Sequence, residues 1–405
     1  MSSFVYRCSE CGQEYARDSV RYLCPECGKQ SRPGEPLRGV LEAVFDYAEI
    51  GKRFDVQHPD WSTLCAVEAG YHPQFPVGNT PFFNAEKLRA ELGLSKLYIK
   101  NDGLNPSGSL KDRASELVVA EAIRLGEQRI VTASTGNAAA ALAAVCAATD
   151  RDAIIFVPAG APKAKLVQML VHGARVVRIN GSYDDAFKLS IEFTDQYGGL
   201  NRNTAYHPLT IEGKKTAALE IFVQNGNKAP DAVVVPVGDG VIITGVYKGF
   251  YDLLQLGLIE KLPRLIAVQA DSSDAIHQLM QTGTYRNAVK PQTIADSISV
   301  AAPSNAYLAR RAISESNGLS VTVTDVEILK AQRQLGMTTG IFAEPAASAT
   351  LAGLRKLSAE FAEDEEIVLL ITGHGLKHAD SVRELLEVPE PIEPVLAEVA
   401  KELRL

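Results

Sequence analysis

Seven short apolar runs, spaced by longer amphipathic stretches, constrain this chain more than any other feature. They are LYIKN (97–101), RIVTAS (129–134), AIIFVP (153–158), RVVRI (175–179), AVVVPV (232–237), RLIAVQA (264–270) and EIVLLIT (366–372). Several are almost wholly apolar and rich in β-branched residues, which marks strands buried on both faces. The stretches between them are long enough for crossover helices, so the pattern reads as βαβ units with parallel strands. Seven runs in 405 residues are more than one compact sheet usually takes. The expected fold is therefore α/β, with two parallel-sheet lobes.

Six cysteines are few for a disulfide framework in a chain this long. Four of them are grouped as Cys8-x2-Cys11 and Cys24-x2-Cys27. Each pair offers two thiolates from a tight turn, and two such knuckles make a tetrahedral S4 site for structural zinc. Reduced, metal-free thiols or a redox pair remain the alternative. Cys65 and Cys146 are left over, the latter inside an alanine-rich apolar run. A Pro/Gly-rich joint, SRPGEP (31–36), follows the knuckles. The expected division is a zinc-ribbon-like segment over 1–35 and α/β lobes over 36–215 and 216–390, with the chain crossing between lobes. A short helix over 391–405 closes the chain.

The net charge of −8 argues against binding nucleic acid or an anionic membrane through bulk charge. The start, MSSFVYRCSE, has no apolar core of a secretory signal. The longest near-apolar run, AAAALAAVCAA (138–148), is too short to span a bilayer. A cytoplasmic location is expected.

In α/β sheets ligands bind beyond the carboxyl ends of the strands. Three glycine-bearing turns fall there: Ser134-Thr135-Gly136-Asn137, Gly238-Asp239-Gly240 and Thr372-Gly373-His374-Gly375. Turns that feed helix N-termini present N–H groups to anions. Each is weak alone. A fourth stretch, NPSGSLKDRAS (105–115), sets Lys111 among turn formers.

Together NPSGSLKDRAS, ASTGNAAAA, PVGDG and ITGHGLK resemble the fold-type II pyridoxal-phosphate enzymes, a tryptophan synthase β-like fold, and within them the threonine synthases. The resemblance runs from about residue 78 to 380 and includes VGNTPFF, VHGARVV (171–177) and GIFAEPAASA (340–349). Some threonine synthases also carry a paired CxxC segment. The resemblance implies a homodimer that acts in amino-acid biosynthesis on a small amino-acid substrate. It implies that Lys111 holds the cofactor covalently and moves protons. Asn137 would bond the ring hydroxylate, and Thr372 would face the pyridine nitrogen. Gly238, Asp239 and Gly240, with the N–H groups of Val241 and Ile242, would cradle the cofactor phosphate. Ser134 and Thr135 would meet the substrate carboxylate.

The resemblance also implies a grip on the phosphate of O-phosphohomoserine, and here the sequence departs. The register set by Pro208, Glu212, Gly213, Lys215 and Thr216 puts Ala205 at the family's serine and Thr210 at its arginine. Ala138 stands where the family has threonine. Only Lys165 is kept. Arg202, His207 or Lys214 could rebuild a cationic site. Otherwise the substrate is a non-phosphorylated amino acid, as in serine/threonine dehydratase-type lyases or β-replacement synthases. Asp239 replaces an asparagine. It either turns away from the phosphate or marks a different substrate.

Overall fold

The computed structural model describes residues 4–55, 58–161, 163–386 and 389–404. The strands are β1 (Phe4–Cys8), β2 (Glu14–Ala16), β3 (Leu41–Phe45), β4 (Phe82–Asn84), β5 (Lys96–Asn101), β6 (Arg129–Ala133), β7 (Asp152–Pro158), β8 (Arg175–Ile179), β9 (Leu200–Asn201), β10 (Ala232–Pro236), β11 (Arg264–Ala270), β12 (Leu319–Val323) and β13 (Glu366–Ile371). They form an antiparallel sheet β2-β1-β3, a sheet β8-β7-β6-β9 and a sheet β12-β11-β10-β13-β5-β4. All pairs in the last two are parallel except β4 with β5.

Every apolar run expected to be a strand is one. β4, β9 and β12 were not expected, for a shared reason. Each ends its sheet, and β4 and β12 are partly exposed, so they lack the unbroken apolar signature of a central strand. The chain crosses between the two parallel sheets. β5 pairs with β13 from Glu366↔Lys96 to Ile371↔Asn101, so an early strand sits beside the last one.

Five helices frame the space between these sheets: α1 (Lys111–Leu125), α2 (Asn137–Ala148), α3 (Leu209–Gln224), α4 (Val241–Gln255) and α5 (Pro345–Lys356). α2 is the alanine run, buried along almost all its length. Small side chains let it lie close to α1 and β7. Gly213 does the same for α3, since a Cβ there would fall 2.3 Å from the Arg113 carbonyl oxygen on α1. Among the described residues no helix is long and apolar enough to cross a membrane.

The front segment is fastened to the main body by its trailing loop. Leu37 donates its N–H to the Ser304 carbonyl (3.0 Å), and the Asn287 amide donates to the Gly34 carbonyl (2.6 Å). Leu23 and Leu37 pack on Ala205, Val241 and Leu308 of the main body.

Candidate active site

Lys111 is the first residue of α1, and the loop before it is pinned to a distant turn. Leu110 donates its N–H to the Thr372 carbonyl (2.9 Å), and His374 donates to the Gly108 carbonyl (3.0 Å). Gly108 has φ +80°, a left-handed conformation that favours glycine. The lysine loop and the ITGHG turn thus form one unit.

That unit opens on a cavity of about 840 Å³ lined by Lys111, Ser134, Thr135, Asn137, residues 238–242 and Thr372. The structure therefore brings together the cofactor-side positions read from the sequence. The Lys165 side chain lies outside the described residues. Burial holds the Lys111 amine below the ordinary lysine range, against the Glu344 carboxylate, which favours the charged form. This enlarges the neutral, nucleophilic fraction of the amine near neutral pH.

Glu344 is a site residue that the sequence reading passed over. It lies in GIFAEPAASA just before Pro345, the first residue of α5, yet its carboxylate caps nothing on that helix. It instead accepts from the Asn137 amide (2.9 Å), which also donates to Ser297 Oγ (3.2 Å). A Cβ on Gly373 would fall 2.1 Å from Glu344 Oε1, so the ITGHG turn needs glycine there. An acid ahead of a helix-starting proline was the available signal.

The turn at 238–240 makes an anion cradle. Gly240 has φ +85°, and a Cβ there would fall 2.7 Å from Ala309 Cβ. α4 begins at the next residue. The N–H groups of Asp239, Gly240, Val241 and Ile242 meet no acceptor among the described residues, and they sit at a helix N-terminus on the cavity wall. The Asp239 carboxylate accepts through Oδ1 from the Ser304 N–H and hydroxyl (both 3.1 Å). Burial nevertheless raises its pKa. Asp239 is thus tied by one oxygen to the loop that holds Leu37.

The substrate-side departures have structural causes. Ala205 has φ +63°, and its methyl packs in the apolar cluster with Leu23 and Leu37. The Thr210 hydroxyl accepts the Ala205 N–H (3.1 Å) and donates to the His207 carbonyl (2.7 Å). Both positions serve the local turn. Ala138 lines the cavity and leaves room there.

Of the three candidate cations, only Lys214 lines the cavity. His207 is buried, and its Nδ1 accepts the Leu209 N–H (3.2 Å); burial pushes its pKa down to about 4, so it is neutral near pH 7. Arg202 is fully buried. Its Nε donates to Ser115 Oγ (3.1 Å) and its Nη1 to Thr204 Oγ1 (3.2 Å), while Nη2 meets no partner among the described residues. Lys214 lines the cavity, and its ammonium donates to the Thr210 carbonyl (2.8 Å). Neither forms an ion pair among the described residues, and burial lowers both pKa values, that of Arg202 to about 10.

Residues 31–35 and Leu37 of the front segment also line the cavity, Arg32 among them. Beyond them the four sulfurs of Cys8, Cys11, Cys24 and Cys27 lie within 4.8 Å of one another. The Glu10 and Cys27 N–H groups point at the Cys8 and Cys24 sulfurs (both 3.5 Å).

The model of the family described as "Pyridoxal-phosphate dependent enzyme" matches residues 74–373. A threonine synthase of Methanosarcina acetivorans is 37% identical over 96% of this chain and 95% of its own. One from Methanocaldococcus jannaschii is 36% identical over 98% and 100%. Among solved structures, maize serine racemase superposes with a TM-score of 0.66 at 22% identity, covering 76% of this chain and 92% of its own. The processed form of threonine deaminase isoform 2 from Solanum lycopersicum gives 0.65 at 24%, covering 76% and 82%.

Proposed function

Because this chain belongs to the pyridoxal-phosphate dependent enzymes, as a carbon–oxygen lyase of the threonine synthase type, we propose that it converts O-phosphohomoserine and water to threonine and phosphate. The observation that carries the substrate is the pair Arg202 and Lys214. Two buried cations without an ion pair among the described residues are costly unless an anionic ligand completes them. Lys214 stands one helical turn beyond Thr210, so its ammonium can serve the phosphate from the same face as the missing arginine.

The cavity also fits the cofactor. It offers one amine of lowered pKa and four unclaimed N–H groups at a helix start, the donor set that a phosphorylated aldehyde needs. Pyridoxal phosphate bound there supplies an electron sink for negative charge at the substrate α carbon. Lys111 would hold it covalently and move the proton at that carbon. Residues 238–242 would take its phosphate, Asn137 its ring oxygen and Thr372 its ring nitrogen. A hydroxyl there leaves the ring a milder sink than a carboxylate would, which suits elimination and replacement. Ser134 and Thr135 hold the substrate carboxylate at the start of α2, and Lys165 is assigned to the substrate side as well. Arg202 and Lys214 neutralise the departing phosphate.

The remaining assignments belong to this reading. The four clustered cysteines hold a structural zinc; a tetrahedral ZnS4 site needs sulfurs about 3.8 Å apart, compatible with their spacing. The ranges 1–35, 36–215, 216–390 and 391–405 serve as ribbon, two lobes and tail. The enzyme works as a cytoplasmic homodimer on a small amino acid, without nucleic-acid or membrane partners.

The test is incubation of the purified holoenzyme with O-phosphohomoserine. Threonine and phosphate should appear in equal amounts. No release while Lys111 carries the cofactor would sink the substrate assignment, and keto-acid formation from serine or threonine would replace it with a dehydratase.

A further inference from the structure

α1 carries a second group of reactive side chains on another face. Glu116 lies five residues beyond Lys111, about 140° around the helix at 3.6 residues per turn. Its carboxylate oxygen is 2.7 Å from His72 Nδ1. The other ring nitrogen of His72 is 3.3 Å from Cys65 Sγ and 3.2 Å from the Val67 carbonyl oxygen. All three side chains line a cavity of about 430 Å³, distinct from the one at Lys111, with walls that include Trp61, Phe75 and Leu219.

We infer that Cys65, His72 and Glu116 form a thiol-reactive modification site that takes low-molecular-weight disulfides. The hydrogen bonds carry the argument. A carbonyl oxygen only accepts, so Nε2 carries a proton. A carboxylate likewise only accepts, so Nδ1 carries one too. The ring is an imidazolium, and its Nε2–H lies beside Cys65 Sγ, where a neighbouring positive charge favours attack by the sulfur. In support, the bonds to Cys65 and Glu116 push the His72 pKa up to about 11 despite burial. The other charged groups on this cavity are Arg113, Glu212, Lys215 and Glu220. Arg113 pairs with Glu220 and Lys215 with Glu212 (both 2.6 Å), so none is free to neutralise the imidazolium in place of Cys65 and Glu116.

In the reaction the Cys65 thiolate attacks one sulfur of the small disulfide. The S–S bond of that molecule breaks, a bond from Cys65 Sγ forms, and the second sulfur leaves as a thiolate that takes a proton from solvent. No outside oxidant or reductant is needed: one disulfide is consumed and one mixed disulfide is made. Neither the site nor the reaction depends on the substrate assigned to the Lys111 cavity.

The experiment uses the holoenzyme and 5,5′-dithiobis(2-nitrobenzoate) at pH 6 and pH 8, with peptide mapping to follow Cys65 apart from the other cysteines. An ordinary thiol of pKa near 8.5 labels about 75-fold faster at pH 8 than at pH 6, because only the thiolate reacts. Cys65 should change by less than about tenfold, and His72→Gln should restore the steep dependence. A wild-type change above about tenfold, or no label on Cys65 at either pH, overturns the inference, whether or not the variant folds. Glutathione disulfide should then add one glutathionyl group to Cys65, removable by reductant; no adduct overturns the ligand class.

Discussion

Neighbouring cations on two helices have opposite surroundings. On α3, Lys214 faces the cavity with no ion pair among the described residues, while Lys215 bonds Glu212 (2.6 Å) and Asp252 (2.8 Å) under the Phe45 ring, 4.2 Å from its centroid. On α1, Lys111 lines the cavity, while Arg113 bonds Asp102 and Glu220 (both 2.6 Å), the latter shared with Lys100 (2.5 Å). One residue of each pair is finished by an ion pair, and the other has none among the described residues. Burial alone does not separate them; a direct salt bridge does. The paired group holds α1, α3 and α4 together, and the unpaired group lines the cavity.

The most severe challenge to this distinction is Arg113→Met. It strands the Asp102 carboxylate in the interior and leaves Lys100 as the remaining cation on Glu220, and removing one partner of a buried pair costs about 3–5 kcal/mol. Urea unfolding should show that loss; a change under about 1 kcal/mol would mean that the network is ornamental. The next largest effect is acid lability from His207, the uncharged base beside the unpaired cations. Its folded pKa of about 4 lies below the ordinary value, so the unfolded chain binds the extra proton first. Stability is therefore full above about pH 6.5 and falls as pH drops toward 4, by on the order of 3 kcal/mol. His207→Gln should flatten that part of the urea-midpoint profile, and an unchanged slope would assign the acid lability elsewhere. The smallest effect is the most discriminating. Lys214→Met should leave stability unchanged or slightly higher, since a buried unpaired charge is removed. It should raise KM for O-phosphohomoserine about 10- to 100-fold, the worth of a hydrogen bond to a charged group, with cofactor absorbance intact. A stability loss as large as that of Arg113→Met would erase the contrast.

The same contrast explains what the sequence revealed. Lys111, Asn137, Gly238, Gly240 and Thr372 were legible because each stands at a strand–helix turn, where a short run of residues determines both the backbone and its chemistry. Central strands were legible because burial on both faces leaves an unbroken apolar run. Glu344 was not, because its partner Asn137 lies on another helix far away in the chain. The fate of the substrate-phosphate grip was not legible either. Ala205 reads as a lost serine until Leu23 and Leu37 are seen to cover it, and Lys214 reads as one lysine of two until only its neighbour turns out to be paired. Asp239 was ambiguous for the same reason: Ser304, which binds it, belongs to a loop that no local pattern connects to the cradle.

The loop at 31–37 gives the front segment an unexpected place in the heredity of this enzyme. A small cysteine-knuckle module looks like a part that recombination could add, drop or exchange between relatives at no expense to catalysis. Here it furnishes Arg32 to the cavity, and its leucines press on Ala205 and Ile211 of the main body. A hybrid that took this module from one lineage and the body from another would inherit a mismatched mouth. Residues 23–40 and 202–214 should therefore change together or not at all.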